Sequence, residues 1–523
     1  MTRLLRPLPL AMLCLLATAI VGLWLRPLTA IDETRYLAVA WEMHQSGNWW
    51  VPTKNFALYS DKPPLLFWAI NLVWLVTGVG EFAARLVGPI FGLAGLWLTA
   101  VLGRRLWPED AGIGGRAAMA LAGLMVFALS SSLTMFDVPL SVATLLGLIA
   151  LERAGHADSG LRPWLGFGAA IALGVLTKGP VILFHLLPAA IFLPVWGADP
   201  MGWRRLARGL GFGLLSGLGL IALWLVPAAI LGGLEYRAAI LWHQSAGRLT
   251  ESFAHARPWW FYLALVPALG FPLFWSPALL RAGFTFGWRA DRGLRLCLIW
   301  AGTAAILFSL TSGKQIHYLV PELPALALIA ARLGRDAGRF RLVPAQLLLG
   351  LLALAGLAAG LGLLPLHRMQ ALLQPGYMLI LWAALIGGIC LLAGRIRGFE
   401  GVMLISLGLL LAGNLLIGTT QTARIFSTHP IAARIAPADR ARIEIPRHRF
   451  QRADHIRRPR RRHAANRRRR MQRRCQQHRR HVRIPQPPLD PGAQMPHAAG
   501  RGDARALRAA QIAAPWRQRV QDR

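Results

Sequence analysis

The sequence predicts an all-α protein that crosses a membrane many times, and three observations lead to this class. Of its 523 residues, 55% are hydrophobic and 15% are charged, whereas a soluble domain carries about a quarter charged residues. The mean hydropathy is +0.45. Apolar runs long enough to cross a bilayer recur from the N-terminus to about position 419. These values argue against a single soluble globule.

The formal net charge of +35 is distributed unevenly along the chain. Residues 421–523 hold 27 Arg and 6 acidic residues, while residues 1–420 hold the other 31 basic and 17 acidic residues. The chain therefore divides into a hydrophobic body, 1–420, and an Arg-rich tail, 421–523. The four cysteines lie far apart, so they indicate neither a disulfide framework nor a metal knuckle.

Fourteen apolar runs are candidates for membrane spans. The first, at about 8–25, follows Arg3 and Arg6 and has no clean cleavage site behind it, so we interpret it as a span with its N-terminus inside and not as a signal peptide. The others lie near 64–80, 84–103, 116–133, 138–152, 162–177, 179–196, 208–232, 259–281, 294–311, 318–333, 343–366, 376–394 and 400–418.

The placement of positive charge decides how many of these runs cross. If all fourteen did, the Arg-containing loop at 104–116 would face outside, against the positive-inside tendency. The 64–80 run follows a proline and ends in glycines, and placing it as a helix in the outer interface brings the Arg-containing loops inside. The sequence therefore predicts thirteen spans, with the C-terminus outside.

All four lysines then lie on the outer side, where positive charge should be scarce; they are Lys54, Lys62, Lys178 and Lys314. Snorkelling at the ends of spans is one explanation, above all for Lys178. Binding of an anionic ligand is the other, and it places the functional site at the outer face.

Carboxylates collect on the same side. Asp32 begins a helical stretch in the long first outer loop, 27–83, and Asp137 begins the helix after a later outer segment. A carboxylate at membrane depth is costly and usually functional. The structural alternative makes both residues helix caps, with Tyr36 as an interfacial anchor. Further polar outer segments lie at 233–258 and 312–318.

Several short motifs follow one another along the body: Asp32-Glu33-Thr34-Arg35-Tyr36, Gly47-Asn48-Trp49, Asp61-Lys62-Pro63-Pro64, Glu81-Phe82-Ala83-Ala84-Arg85-Leu86, Asp137-Val138-Pro139, Thr177-Lys178-Gly179-Pro180, Arg257-Pro258-Trp259-Trp260-Phe261-Tyr262 and His317-Tyr318-Leu319-Val320-Pro321. In this order and spacing they resemble the bacterial lipid-linked-sugar glycosyltransferases of the GT-C fold. The nearest branch is the 4-amino-4-deoxy-L-arabinose lipid A transferases, relatives of the protein O-mannosyltransferases. The resemblance covers roughly residues 1–420.

The resemblance implies thirteen spans, interfacial helices within 27–83, and a periplasmic active site in the bacterial inner membrane that takes a sugar from undecaprenyl phosphate. It makes Asp32 and Asp137 the catalytic carboxylates. It gives binding of the donor phosphate to Lys62, Arg257 and Tyr318. Other positions in the substrate cavity would be Glu33, Tyr36, Tyr59, Asp61, Lys178 and His317. Asp61 stands where relatives often carry Glu, which leaves open whether a divalent metal ion binds there.

The implied reaction is a direct displacement with inversion. The acceptor would be lipid A, another envelope glycan or a protein hydroxyl, and the residues do not separate these. A multispan transporter of lipid-linked or anionic substrates is the alternative from another class. Transporters tend to show internal repeats and ionisable groups near the mid-plane, whereas no repeat is visible in this sequence and its charged groups cluster at the outer ends of spans.

The tail departs from the family pattern near residue 438, where relatives usually continue into a folded periplasmic domain. Its Arg-rich runs at 457–462 and 467–470 lack apolar periodicity, so we expect no packed core. A location outside the membrane argues against nucleic-acid binding, although contact with lipid phosphates is physically feasible. Our preferred hypothesis is that GC-rich coding sequence is read in a shifted frame after about codon 438.

Overall fold

The computed structural model describes residues 6–29, 31–241, 256–364, 372–423 and 427, and over these residues the fold is helical. The helices of the first part are α1 (Pro7–Leu25), α2 (Asp32–Ser46), α3 (Leu65–Thr77), α4 (Glu81–Arg85), α5 (Val87–Leu106), α6 (Ile113–Ala122), α7 (Met125–Ser131) and α8 (Asp137–Ala154). The helices that follow are α9 (Arg162–Lys178), α10 (Ile182–Ile191), α11 (Leu193–Trp196), α12 (Trp203–Leu231), α13 (Gly233–Ala238), α14 (Phe261–Leu269), α15 (Pro277–Thr285), α16 (Arg292–Leu310), α17 (Leu323–Asp336), α18 (Val343–Gly360), α19 (Tyr377–Arg395) and α20 (Gly398–Thr419).

Two kinds of smaller element accompany the helices. Strands β1 (Thr53–Lys54) and β2 (Ala57–Leu58) form an antiparallel hairpin between α2 and α3. Two 3₁₀ helices, Leu273–Trp275 and Ile316–Glu322, precede α15 and α17.

Within the described residues, eight helical segments are long and apolar enough to cross a membrane: α1, α4 with α5, α12, α16, the 3₁₀ helix Ile316–Glu322 with α17, α18, α19 and α20. Helices α6 and α7 would add a ninth, but the chain bends by 74° between them. The prediction of an all-α protein with many spans is confirmed. The count of thirteen stays a prediction, because the runs at 138–152, 162–177, 179–196 and 259–281 form helices that are short, interrupted or charged at their ends.

The 64–80 run forms α3, a helix of 13 residues. A span needs about 20 residues, so α3 is too short to cross the membrane. This length agrees with the predicted placement of the run in the interface. One face, with Phe67 and Ile70, packs on Val39 and Met43 of α2. The opposite face exposes apolar side chains, including Val76 at 88%. Such a one-sided helix suits an interfacial position.

A close backbone approach positions the segment that leads into α8. A Cβ atom at Gly88, near the start of α5, would lie 2.4 Å from the carbonyl oxygen of Leu133. Glycine therefore lets α5 pack directly on residues 131–133. This packing fixes the chain immediately before Asp137.

Candidate active site

Asp137 and Lys178 form a buried ion pair. Asp137 is the first residue of α8 and Lys178 is the last residue of α9, so two antiparallel neighbours bring both to the same end. Lys178 Nζ lies 2.5 Å from Asp137 Oδ1, and the exposed fractions of the two side chains are 12% and 3%. The cap position of α8 is held by Phe136, whose side chain makes no capping hydrogen bond, and Asp137 follows it inside the helix. The capping alternative for Asp137 is therefore wrong, and Lys178 does not extend freely into solvent.

The 3₁₀ helix Ile316–Glu322 brings His317 and Tyr318 to this pair. Lys178 Nζ lies 4.5 Å from the centroid of the Tyr318 ring, within the range of a cation–π contact. The charges of Asp137, Lys178, Asp32 and Lys62 all act on the His317 imidazole. The structure thus assembles residues that are up to 286 positions apart, such as Asp32 and Tyr318, around one region.

Asp32 is the first residue of α2 and makes no capping hydrogen bond. Its Oδ1 lies 2.5 Å from Arg35 Nη2 and accepts a hydrogen bond of 3.3 Å from the Tyr36 hydroxyl. The Asp32 side chain keeps 41% of its surface exposed, so a substrate can reach it. The capping alternative is wrong here too.

Tyr36 joins α2 to the start of α8. Its ring packs edge-on against Phe136, with centroids 4.8 Å apart, and only 4% of the residue is exposed. Burial, followed by the charge of Asp32, raises the pKa of Tyr36, so the phenol stays neutral at physiological pH. The neutral hydroxyl donates a hydrogen bond that orients the Asp32 carboxylate, and it adds no second negative charge beside it.

The hairpin that precedes α3 delivers three further residues. Tyr59 is buried and packs on Phe67, with ring centroids 6.1 Å apart. Lys62 Nζ lies 5.9 Å from the centroid of the Phe136 ring, whereas Asp61 is exposed. Tyr59 and Lys62 therefore adjoin the aromatic cluster beneath Asp32, while Asp61 faces solvent.

Glu33 lies inside the protein, with 0% of its surface exposed. Its Oε2 accepts a hydrogen bond of 2.9 Å from the Thr29 amide, and its Oε1 accepts one of 2.9 Å from the Thr134 amide. Burial alone would raise the pKa of Glu33, but the Arg26 guanidinium and these hydrogen bonds outweigh it and hold the pKa below its ordinary value. Glu33 thus ties the start of α2 to the segment before α8 and does not open onto a cavity.

Arg257 lies on an exposed loop that Lys314 supports. The Arg257 amide donates to the Ser312 carbonyl at 3.3 Å, and Lys314 Nζ donates to the carbonyl of Arg257 at 3.0 Å and to that of Thr311. Lys314, which the sequence offered as a cation for a ligand, is 4% exposed and binds backbone. The histidines of the outer segment 233–258 fall within 242–255, outside the described residues.

Sequence reasoning missed a second buried pair close to this region. His185 Nδ1 of α10 is hydrogen-bonded to Glu322 Oε1 at the end of the 3₁₀ helix, and the side chains are 0% and 5% exposed. His185 is the one ionisable residue of the 179–196 run, and Glu322 is the one acidic residue of the 318–333 run. An ionisable group in a membrane segment is itself a signal of function.

Metal ligation was left open by the sequence. Within the part of the chain that the structure describes, no group of three or more His, Cys, Asp and Glu side chains could hold a metal ion. The residues described here do not fit a metal site, and we assign no step to one.

A helical body with several spans and a cluster of carboxylates, cations and tyrosines at one end of its helices has the fold of the GT-C membrane glycosyltransferases. Crystal structures of ArnT from Cupriavidus metallidurans, in the apo state and bound to undecaprenyl phosphate, superpose on it with a TM-score of 0.62. The match covers 80% of this chain and 77% of that chain at 22% sequence identity. Identity at this level shows the fold alone.

Sequence comparison gives the more particular likeness. The family model described as dolichyl-phosphate-mannose-protein mannosyltransferase matches residues 61–230. An undecaprenyl phosphate-alpha-4-amino-4-deoxy-L-arabinose arabinosyl transferase of Pseudomonas aeruginosa UCBPP-PA14 is 32% identical over 353 residues, which are 64% of this chain and 61% of that protein. A corresponding transferase of Pseudomonas fluorescens Pf0-1 is 30% identical over 336 residues, 61% of this chain and 56% of that protein. The chain therefore spans less than two thirds of the length of these relatives, and the resemblance drawn from its motifs is confirmed.

Proposed function

We propose that this chain is an inner-membrane glycosyltransferase that moves a sugar from an undecaprenyl phosphate donor to an envelope acceptor such as lipid A, at the periplasmic face. The cluster of Asp32, Lys62, Asp137, Lys178 and His317 carries this proposal, because it brings opposite charges together at one end of apolar helices. The relatives named above, whose names state an undecaprenyl phosphate-sugar substrate, support the choice of donor.

The donor's leaving group is an anionic phosphate, so its departure calls for cations and hydroxyl donors more than for a proton. We assign the cations to Lys62 and Arg257, the positions to which the resemblance gives binding of the donor phosphate, whereas Lys178 lies 2.5 Å from Asp137. Tyr318 supplies a hydroxyl, and Lys178 holds its ring in place. Charge-assisted hydrogen bonds of this kind are strong, and stabilising developing negative charge is usually the largest catalytic effect.

The transfer is a single displacement. The acceptor oxygen forms a bond to the anomeric carbon while the bond from that carbon to the phosphate oxygen breaks, and undecaprenyl phosphate leaves with the electron pair. If the acceptor is a hydroxyl, its proton passes to Asp32, whose carboxylate is partly exposed. If the acceptor is an ionised phosphate, no proton moves and Asp32 orients it. Either course inverts the anomeric carbon.

Reconstitution of the full chain with undecaprenyl phosphate-sugars tests the proposal. We expect Asp32→Asn and Lys62→Ala each to reduce transfer by about 100-fold or more, as loss of a general base or an electrostatic donor does. Lys54→Ala, in the hairpin of the same outer segment, is the matched control and should keep wild-type transfer. Lipid A, glycan and protein acceptors are compared in parallel to identify the acceptor. Unchanged transfer in both site variants would remove the proposed site.

The periplasmic orientation is tested separately by cysteine labelling in a cysteine-free background. Phe56 at the hairpin tip is 89% exposed, and Asp158 is exposed between α8 and α9. We expect an impermeant maleimide to label Phe56→Cys in spheroplasts and to label Asp158→Cys only after permeabilisation. Labelling of both from the same side would contradict the orientation.

A further inference from the structure

A carboxylate and an imidazole are buried together beside the proposed site. Glu322 ends the 3₁₀ helix Ile316–Glu322, and His185 lies in the first turn of α10. The second nitrogen of His185, Nε2, and the second oxygen of Glu322, Oε2, have no hydrogen-bond partner among the described residues. Each side chain therefore depends on the other for its polar contact.

The 3₁₀ helix between them and the site is held at both of its ends. At its start, the Tyr262 hydroxyl of α14 donates to the Gln315 carbonyl at 3.1 Å, and the Tyr318 amide donates to the same oxygen at 3.1 Å. At its end, His185 holds Glu322. Seven residues are long for a 3₁₀ helix, since runs beyond three or four residues are uncommon. Tyr262 of α14 and His185 of α10 thus stabilise a 3₁₀ helix that its own backbone hydrogen bonds would stabilise only weakly.

One aromatic ring connects the pair to the site. The Phe308 ring of α16 lies 5.4 Å from the His185 ring and 5.8 Å from the Tyr318 ring, measured between centroids. Tyr318 in turn contacts Lys178, which binds Asp137. Phe308 therefore contacts both His185 and Tyr318, and the backbone of the 3₁₀ helix joins Tyr318 to Glu322.

We propose that His185 and Glu322 are positioning residues, whose hydrogen bond sets the 3₁₀ helix so that His317 and Tyr318 face the Asp137–Lys178 pair. A buried polar pair of this kind is seldom retained for stability, because apolar side chains of similar volume often do as well or better. It can instead specify one geometry among several of similar energy. In this protein, the specified geometry is the direction in which the His317 and Tyr318 side chains point.

The first test measures the environment of the Tyr318 ring and does not depend on enzymatic activity. The chain has six tyrosines, so labelling with 3-fluorotyrosine gives a small set of ¹⁹F resonances, in which Tyr318→Phe identifies the signal of Tyr318. We expect the double variant His185→Leu/Glu322→Leu to shift or broaden that signal and to leave the signal of Tyr377, in α19, unchanged. An unchanged Tyr318 signal in the folded double variant would overturn the proposal.

The second test reads catalysis and rests on the proposed function. With the donor and acceptor of the wild-type reaction, we expect the double variant to lose about 10- to 100-fold in kcat, as misplaced groups do, with KM changed by less than about threefold. His185→Asn places an amide nitrogen near the position of Nδ1 and should restore most of the rate. A folded His185→Asn variant as slow as the double variant would contradict the role of this hydrogen bond. If that double variant does not fold, His185→Phe/Glu322→Met, which also removes both polar groups and fills more of their volume, is measured by the same criteria. Absence of transfer in the wild type would instead count against the proposed function, and the ¹⁹F result would still decide the positioning role.

Discussion

Replacing Lys178 with methionine tests how strongly the central ion pair organises the site. The variant leaves the Asp137 side chain, 3% exposed, without the ammonium that lies 2.5 Å away. Two unit charges at that separation attract by about 7 kcal/mol at an effective dielectric constant of about 20, and much of this attraction offsets the cost of desolvating both groups. Removing one partner of a buried pair costs about 3–5 kcal/mol. Because the Lys178 side chain keeps 12% exposure, we expect the lower end, a loss of about 3 kcal/mol in the free energy of unfolding.

The assay is denaturant unfolding in detergent, followed by the fluorescence of the 20 tryptophans. The double variant Lys178→Met/Asp137→Leu removes both charges and should recover most of the lost stability while transfer stays low. Lys54→Met makes the same chemical change away from the site and should alter stability by less than about 0.5 kcal/mol. A Lys178→Met protein as stable as the wild type, or a double variant no more stable than the single one, would refute the reasoning.

Three further predictions concern the supporting residues and the tail. The pKa of Glu33 in the folded state lies below its ordinary value of 4.5. The ionised Glu33 therefore contributes its full stabilisation above pH 4.5, and this stabilisation is lost as the pH falls through the folded-state pKa. We expect the melting temperature of the wild type to drop more steeply in acid than that of Glu33→Gln. Lys314→Met removes two charge-assisted hydrogen bonds to backbone carbonyls, so we expect thermal unfolding to show a loss of about 2–4 kcal/mol in the free energy of unfolding. The same variant should raise KM for the donor, because the loop that carries Arg257 loses its support. Arg257→Met should raise KM with little loss of stability. Genomic DNA read in another frame after codon 438 should encode an apolar-patterned domain, and an intact frame without such a domain would end the frameshift hypothesis.

Much of the architecture follows from patterns that are local in sequence. The flanking proline and glycines separate α3 from the spans, and the structure shows a helix of 13 residues there. The alternation of Arg-containing loops predicts that Asp137 and Lys178 lie on the same side of the membrane. That both ends meet in one ion pair could not be predicted, because the contact depends on how α8 and α9 rotate about their axes.

Other features could not be predicted from the sequence, because the sequence shows which residues are charged and not which groups they contact. Lys314 looked like a cation for a ligand, yet its ammonium binds two backbone carbonyls. His185 and Glu322 stand 137 residues apart in two different apolar runs, and nothing local connects them. The predicted single span at 116–133 is divided into α6 and α7. The sequence did not reveal this bend, because hydrogen bonds from distant segments stabilise it.

The bend between α6 and α7 also constrains how the molecule is assembled during synthesis. A broken helix frees backbone groups that lipid cannot satisfy. Here the Met125 amide donates to the carbonyl of Phe271 at 3.2 Å, and the Ser406 hydroxyl donates to the carbonyl of Gly123 at 2.5 Å. Both partners leave the ribosome long after the bend itself. We therefore expect the packing around Gly123 to be completed only after α20 has been synthesised, and nascent chains cut short before residue 406 to stay incompletely packed there.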